Sequence, residues 1–179
     1  MEVWEEFNNN WDSLAFESER LLAKLTDQSV EELNGLNEEE LPKEGLERER
    51  LVKVRVNQRF FRATVLTSYE TQCCITGIAI PTLLSASHIA PWAKNPNNRM
   101  NPRNGLCLNL LHHKAFDEGL ITITPEFRVR VSSSLAPSIT GDIYETLFER
   151  YNNKLARLPR RFLPDTMLLE WHNETIFVP

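Results

Sequence analysis

The middle of the chain contains side chains that can move a proton or hold a metal ion. Three of its four histidines, His88, His112 and His113, lie within 26 positions of one another. His113 and Asp117 are four residues apart in a segment with helical character, so their side chains share one helix face and suit two ligands of one metal ion. The same spacing also describes an ordinary surface pair, which contributes about 0.3–0.5 kcal/mol to stability.

The elements around these residues change the balance between the two interpretations. His88 lies in an apolar stretch, 83–89, that predicts a β-strand. The polar stretch 90–104 follows; it contains three prolines and five asparagines and predicts an irregular loop. Residues 109–118 then predict a helix, with Gly119 placed to end it. In this order of elements, the strand can place a general base, the helix can place metal ligands, and the loop sets the distance between them. The order therefore favours a metal-dependent catalytic site over a surface pair.

The motifs of this region resemble those of the His-Asn-His (HNH) endonuclease family, in its bacterial restriction and defence branch. Four segments carry the resemblance: Cys-Cys-Ile-Thr-Gly at 73–77, Ser-His-Ile-Ala-Pro-Trp at 87–92, Asn-Gly-Leu-Cys-Leu at 104–108, and His-Lys-Ala-Phe-Asp-Glu-Gly-Leu-Ile at 113–121. The resemblance covers residues 50–124 well, extends weakly over the tail and does not cover residues 1–45. The combination of motifs is far more specific than any one residue in it.

The resemblance implies an α+β fold with a ββα-metal (His-Me finger) core. His88 would be the general base that takes a proton from the attacking water, provided that an acceptor such as a backbone carbonyl holds its other ring nitrogen. Asn104 would be a catalytic-site residue that orients the loop through its amide, a role compatible with a plain Asn-Gly turn. His113 would be both a catalytic residue and a metal ligand, and Asp117 would be the second metal ligand.

The implied cofactor is one divalent metal ion, which would neutralise charge that develops on the phosphate in the transition state. Mixed imidazole and carboxylate ligation is compatible with several ions. We expect Mg²⁺ or Mn²⁺, with Zn²⁺ or Ni²⁺ as alternatives. The implied substrate is DNA, expected to be double-stranded, with cleavage that leaves 5′-phosphate and 3′-hydroxyl ends.

The sequence departs from the family's pattern at two places. Ser87 stands where many relatives have a metal-binding histidine or aspartate, so only two protein ligands are predicted. Some relatives also hold a structural zinc with two Cys-x-x-Cys pairs; the equivalent positions here are Cys73 with Thr76, and Asn109 with His112. One thiolate is too few for such a zinc site, so packing is expected to replace it. His112 is expected in a packing or surface role, with a phosphate contact or third ligand as the alternative.

The charge distribution supports a polyanionic partner, although the net charge of the chain is −5. Residues 1–50 carry a net charge of −10, whereas residues 51–115 carry eight basic and one acidic side chain. A basic middle in an acidic chain is typical of nucleic-acid binding, and a solvated helix face is the alternative. The candidate DNA contacts are Arg59, Arg62, Lys94, Arg99, Arg103 and Lys114.

The rest of the pattern predicts helices at 3–25, 28–34, 46–70 and 143–151, a linker at 37–45, and a hairpin formed by 120–124 and 127–132. The tail is expected to pack on the body through Trp171 and Phe177, with His172 in a structural role. We therefore predict two regions: an acidic helical arm, 1–45, and a nuclease domain, 46–179, with its core at about 70–124.

Composition excludes some classes of protein. No apolar run approaches the roughly 20 residues that span a bilayer, and the acidic N-terminus lacks the layout of a signal peptide. Three cysteines form no disulfide framework, so a cytoplasmic protein is expected. Two alternatives to a nuclease stay open: a catalytically weak nucleic-acid-binding module with the same fold, and an interaction protein that docks or forms a homodimer through the acidic arm. The sequence does not reveal a recognition site.

Overall fold

The computed structural model of the protein describes residue 7 and residues 10–36, 41–42, 45–91 and 98–179. Contacts divide the chain into two compact units, Met1–Ala63 and Thr64–Pro179. Several predictions fall on residues outside this description. They concern most of positions 3–8 of the first predicted helix, most of the linker at 37–45, and Trp92 and Lys94 of the loop. The predicted boundary after residue 45 stays a prediction.

The first unit is helical. Helix α1 is Trp11–Thr26 and begins after Asn10, whose side chain accepts the Ser13 N–H. Helix α2, Val30–Leu33, begins with a capping box in which Ser29 and Glu32 each accept the other's backbone N–H. Helix α3, Leu46–Ser68, continues into the second unit. These helices confirm the predicted segments 28–34 and 46–70, and they confirm 3–25 from residue 11 onward.

In the second unit, two short antiparallel strands come before a helix. Strand β1, Leu84–His88, pairs with β2, Gly105–Asn109, so that His88 lies opposite Gly105. Helix α4, Leu110–Asp117, follows β2 at once, and the Asn109 side chain caps it by accepting the His112 N–H. The predicted strand and helix are confirmed. Strand β2 was not predicted from the sequence pattern. All five of its residues are buried, so the sequence lacks the alternation of apolar and polar residues that marks a half-exposed strand.

The remaining elements extend this core. Strands β3, Ile121–Ile123, and β4, Val129–Val131, form the predicted hairpin. Helix α5 is Gly141–Leu147, shorter than the predicted 143–151, because the buried Phe148 leaves the helical conformation before a 3₁₀ turn at Glu149–Tyr151. Helix α6, Thr166–Thr175, is capped by Asp165 and lies in the C-terminal tail, the residues after Tyr151.

The core of the second unit lies between these strands and helices α4 and α6. Its largest fully buried side chains include Phe116, Leu84, Ile89, Leu106, Leu108, Ile121, Ile123 and Leu169. Mixed helices and small antiparallel sheets give the α+β class that was predicted. Among the described residues, no helix is long and apolar enough to cross a membrane.

Candidate active site

His88 is the last residue of β1, and one of its ring nitrogens is fixed by the backbone. Its Nε2 atom lies 3.0 Å from the carbonyl oxygen of Arg99. A carbonyl oxygen can only accept a hydrogen bond, so Nε2 carries the hydrogen and Nδ1 is the basic nitrogen of the neutral ring. The structure thus supplies the backbone acceptor that a general base in this position needs.

Burial lowers the pKa of His88 below its usual value, since it disfavours the charged imidazolium. The Arg99 carbonyl and the negative charge of Asp117 act in the opposite direction, and the neighbouring His113 adds to the lowering. The neutral ring is therefore the form that this site favours near pH 7. The three side chains also influence one another electrostatically, which is expected of groups that share one cleft.

Asn104 is completely buried and joins the two ends of the loop between β1 and β2. Its Oδ1 atom accepts the N–H of Ala90 at 2.8 Å. Its Nδ2 atom donates to the carbonyls of Ala90 at 3.1 Å and Asn98 at 3.2 Å. The backbone carbonyl of Asn104 also accepts the N–H of Ile89 at 2.9 Å. These bonds hold the backbone directly after His88 and set the direction in which β1 ends.

His113 and Asp117 meet on one face of α4. Nε2 of His113 lies 3.2 Å from Oδ2 of Asp117, and the two side chains are 28% and 49% exposed. If two donor atoms occupied adjacent positions around an octahedral ion, each about 2.1 Å from the ion, they would lie about 3 Å from each other. The spacing, the accessibility and the nitrogen–oxygen donor set of this pair therefore fit a shared divalent ion.

One cleft brings the candidate residues together. It has a volume of about 300 Å³ and is lined by His88, His113 and Asp117, with Phe116 and His172 at its wall. A larger cleft, of about 890 Å³, lies in the first unit; its described lining carries carboxylates but no histidine or cysteine. The cleft of about 300 Å³ is the one that combines His88 with the His113 and Asp117 pair.

Ser87 does not contribute a third ligand to this cleft. Its side chain is fully buried, and its Oγ atom has no hydrogen-bond partner among the described residues. It is absent from the cleft lining, although its neighbour Ala86 is part of it. Within the described part of the chain, no group of three or more histidine, cysteine or acidic side chains is arranged to hold a metal ion. Among the described residues of this cleft, His113 and Asp117 are the candidate donor pair.

Hydrogen bonds join the side chains at the positions where some relatives carry Cys-x-x-Cys pairs. The Nδ2 atom of Asn109 faces Nδ1 of His112 at 2.9 Å, Oγ1 of Thr76 at 3.3 Å and Sγ of Cys73 at 3.7 Å. Nε2 of His112 donates to the Leu147 carbonyl at 2.7 Å. The four side chains thus form one hydrogen-bonded cluster, and the expectation that no zinc is held at these positions stays a prediction.

The environment of Cys73 and His112 is also defined by this network. Burial raises the pKa of the Cys73 thiol, but hydrogen bonds to its sulfur, including one from the Thr76 N–H at 3.5 Å, outweigh it and lower the pKa to about 6. His112 is 2% exposed and meets the rings of Phe148 and Tyr151 edge-on. It does not line the cleft with His88, so it has the packing role that was expected, and it offers no third ligand.

The candidate DNA contacts differ in their surroundings. Arg59, in the first unit, donates to the Leu33 carbonyl and pairs with Glu19 at 3.3 Å. Lys114 pairs with Glu118 on the exposed face of α4. The other described candidates are exposed or half-buried: Arg62, Arg99 and Arg103. Lys94 lies outside the described residues.

His172 lies at the cleft wall, a position that sequence reasoning missed. The sequence assigned it a structural role, and it is indeed buried, with 2% exposure. Burial lowers its pKa to about 4, partly offset by the Phe116 carbonyl and Asp117. His172 lies beside α4 because it is carried by helix α6, and the sequence pattern did not predict that helix. The signal that could have revealed α6 is Asp165 as an N-cap after Pro164.

Comparisons with known proteins find similarity to endonucleases. A model of the HNH endonuclease family matches residues 73–124, the span that contains all four candidate residues. Among solved structures, a modification-dependent TagI restriction endonuclease is similar at 19% sequence identity, with a TM-score of 0.46; the alignment covers 65% of this chain and 37% of that one. No curated protein matches the sequence. The family match confirms the resemblance predicted from the motifs: residues 73–124 carry the HNH endonuclease signature.

Proposed function

We propose that this chain is a divalent-metal-dependent DNA endonuclease that hydrolyses phosphodiester bonds by a one-metal HNH mechanism. Strands β1 and β2 and helix α4 would form its ββα-metal core. One observation carries the proposal: His88, His113 and Asp117 line one cleft, while the Arg99 carbonyl holds the far nitrogen of His88. The family match over residues 73–124 supports the same region.

In this mechanism, Nδ1 of His88 receives a proton from the water that attacks the phosphorus. The ring becomes an imidazolium, which the Arg99 carbonyl and the charge of Asp117 both stabilise. These two partners make His88 a stronger base than burial alone would allow. Asn104 keeps the end of β1 in place during this step, since its amide holds both Ala90 and Asn98.

The metal would be held by Nε2 of His113 and Oδ2 of Asp117. When bound there, magnesium or manganese supplies positive charge that offsets the charge developing on the phosphate and on the leaving oxygen. Both side chains are partly exposed, so an ion can reach them from solvent. Because the chain offers two donors, we expect the affinity for metal to be weak without DNA and stronger in the complex with DNA.

The candidate basic residues would contact DNA phosphates. Arg99, Arg103 and Lys114 lie in the second unit with the cleft, and Arg62 lies in the first. Such contacts give affinity that falls with salt and depends little on sequence. Arg59 would have to give up its bonds to Glu19 and Leu33 to join them. We propose double-stranded DNA as the substrate, a restriction or defence role, and pairing of two copies where both strands are cut.

The test is a supercoiled-plasmid assay with Mg²⁺, Mn²⁺ or EDTA. His88→Gln is the informative variant, because its amide can still donate to Arg99 but cannot take a proton at neutral pH. We expect wild-type protein to nick the plasmid with either metal, and His88→Gln to bind DNA without nicking it. Ser85→Ala, on the same strand but outside the cleft lining, is the control and should retain activity. Nicking that is undiminished in His88→Gln would refute the mechanism.

One observation favours a second candidate function. Ser87 occupies the place of a metal ligand in many relatives, and its side chain is buried away from the cleft. If two protein ligands are too few to hold a catalytic metal ion, the protein would be a module that binds nucleic acid and cleaves it little or not at all. Such a protein would shift plasmid DNA in a gel at low salt but leave it supercoiled at any Mg²⁺ or Mn²⁺ concentration.

A further inference from the structure

His172, on helix α6, is held by hydrogen bonds at both ring nitrogens. Its Nε2 atom lies 3.1 Å from the carbonyl oxygen of Phe116, which can only accept, so Nε2 carries the hydrogen. Its Nδ1 atom then accepts from the Thr122 hydroxyl, at 2.8 Å. With 2% of its surface exposed, the ring is locked in one tautomer and one orientation.

The partner of His172 is the last turn of the helix that carries the metal donors. The His172 ring stacks on the Phe116 ring with 3.7 Å between centroids and 13° between planes. Phe116 is fully buried and comes directly before Asp117, the final residue of α4. His172 thus contacts both the side chain and the carbonyl of the residue that positions Asp117.

The chain that follows α4 closes its last turn. The carbonyls of Lys114, Ala115 and Phe116 accept the N–H groups of Glu118, Leu120 and Gly119 at 3.1, 2.8 and 3.0 Å. The Phe116 carbonyl therefore accepts two hydrogen bonds, one from Gly119 and one from Nε2 of His172. Asp117 places a negative charge at this C-terminal end, where the helix dipole is unfavourable for it, so a contact from outside the helix helps to hold the turn that carries Asp117.

The chain after α4 adds a second contact with the tail. Gly119 has a φ of +70°, and a Cβ there would lie 2.0 Å from the carbonyl oxygen of Ile176. The Gly119 carbonyl accepts the Val178 N–H at 2.9 Å. The residues after α6 therefore contact the end of α4 through their backbone, in addition to the contact that His172 makes.

We propose that His172 is a positioning residue, which fixes the last turn of α4 so that Asp117 meets His113 at the cleft. The ring lines that cleft, and it acts on Asp117 through Phe116. A purely structural histidine would stabilise the fold without affecting the donor pair. The inference rests on the proposed function for its consequence in catalysis, but the geometry of the donor pair can be measured without cleavage.

The experiment compares His172→Phe, which keeps a stacked ring and removes both hydrogen bonds, with Asn173→Leu. Asn173 is the matched control: it lies on the same helix and donates to the carbonyls of Ile123 at 2.8 Å and Leu169 at 2.7 Å, but it does not line the cleft. Thr122→Val is the milder variant, since it removes only the donor to Nδ1. Each protein is examined by thermal unfolding, by the ¹⁵N signals of the His113 ring without metal, and by their broadening with Mn²⁺.

We expect His172→Phe and Asn173→Leu to lower the unfolding temperature, but only His172→Phe to shift the His113 ring signals and to weaken Mn²⁺ binding there by about tenfold. Thr122→Val should shift the same signals to a smaller extent. His113 signals that respond equally to His172→Phe and Asn173→Leu, or to neither, would overturn the proposal. If wild-type protein fails to nick plasmid while His113 still responds only to His172→Phe, the nuclease assignment fails and the positioning role stands.

Discussion

Nε2 of His88 donates a hydrogen bond of 3.0 Å to the carbonyl oxygen of Arg99, eleven residues later in the chain. This bond joins the end of β1 to a residue in the segment between β1 and β2. It leaves Nδ1 as the basic nitrogen, and it stabilises the imidazolium that forms when Nδ1 takes a proton. The acid–base behaviour of the site therefore depends on how the loop is folded.

The first prediction concerns the pH dependence of cleavage. The base must be neutral to act, so the rate rises as pH increases through the pKa of His88. Because burial lowers that pKa below 6.5, the midpoint of the acidic limb should lie below pH 6.5. Single-turnover nicking with saturating Mn²⁺ from pH 5 to 8 measures it, with circular dichroism at each pH to verify folding. A midpoint above 7 would contradict the assignment of His88 as the base.

The second prediction concerns Asn104. Asn104→Asp keeps an acceptor for the Ala90 N–H but replaces the two N–H donors by a buried carboxylate that faces two carbonyl oxygens. An unsatisfied buried group costs about 1–3 kcal/mol, so we expect a loss of that size or more in the free energy of unfolding. Urea unfolding measures it. Asn101→Asp is the matched control, because aspartate can still accept the Arg103 N–H and the half-buried Asn101 side chain loses only one donated bond, to the Asn98 side chain. Equal losses in the two variants would show that Asn104 has no special role.

The third prediction separates metal binding from folding at Asp117. This side chain is 49% exposed and lies beside His113, so Asp117→Asn should change the free energy of unfolding by less than about 0.5 kcal/mol. It should weaken Mn²⁺ binding by about tenfold or more, as measured by calorimetry. Glu118→Gln removes the neighbouring charge that pairs with Lys114 and should leave Mn²⁺ binding nearly unchanged. A melting temperature that falls while metal affinity persists would point to a structural Asp117.

The sequence predicted the parts of the site that depend on local spacing. His113 and Asp117 share a helix face because they are four residues apart, and the apolar run that ends at His88 predicts its strand. Strand β2 escaped the pattern, since burial on both faces removes the alternation of apolar and polar residues. Helix α6 escaped it as well, and with it His172, whose place beside Phe116 depends on contacts 56 residues apart in the chain. Tertiary contacts of this kind leave no periodic signal.

The fourth prediction concerns the hydrogen-bonded cluster of Cys73, Thr76, Asn109 and His112. Since these side chains satisfy one another, strong zinc chelators should leave the unfolding temperature of the protein unchanged. Asn109→Leu removes an amide whose two N–H donors face three acceptors and whose oxygen caps α4, so it should lower the free energy of unfolding by about 1–3 kcal/mol. Differential scanning calorimetry with and without chelator measures both effects. A fall in the melting temperature with chelator, restored by Zn²⁺, would reveal a structural metal.

The fifth prediction concerns the effect of pH on folding through His172. Its pKa in the folded chain is lowered to about 4 by burial, against about 6.5 in an unfolded chain. A lowered pKa means that the unfolded chain binds the proton first, so stability is fully present above pH 6.5 and is lost as pH falls towards 4. The loss from this group should reach about 3 kcal/mol, at about 1.36 kcal/mol for each unit of pKa difference.

Carboxylates also titrate in this range, so the informative quantity is the difference between wild-type protein and His172→Phe. Urea unfolding at pH 7.5, 6, 5 and 4.5 gives that difference at each pH. We expect His172→Phe to be the less stable protein at pH 7.5, because the Phe116 carbonyl loses one of its two donors and the Thr122 hydroxyl loses its acceptor. The gap should narrow as the pH falls, since the variant has no imidazole to protonate on unfolding. A gap that stays constant down to pH 4.5 would mean that His172 accepts a proton within the fold as readily as in the unfolded chain.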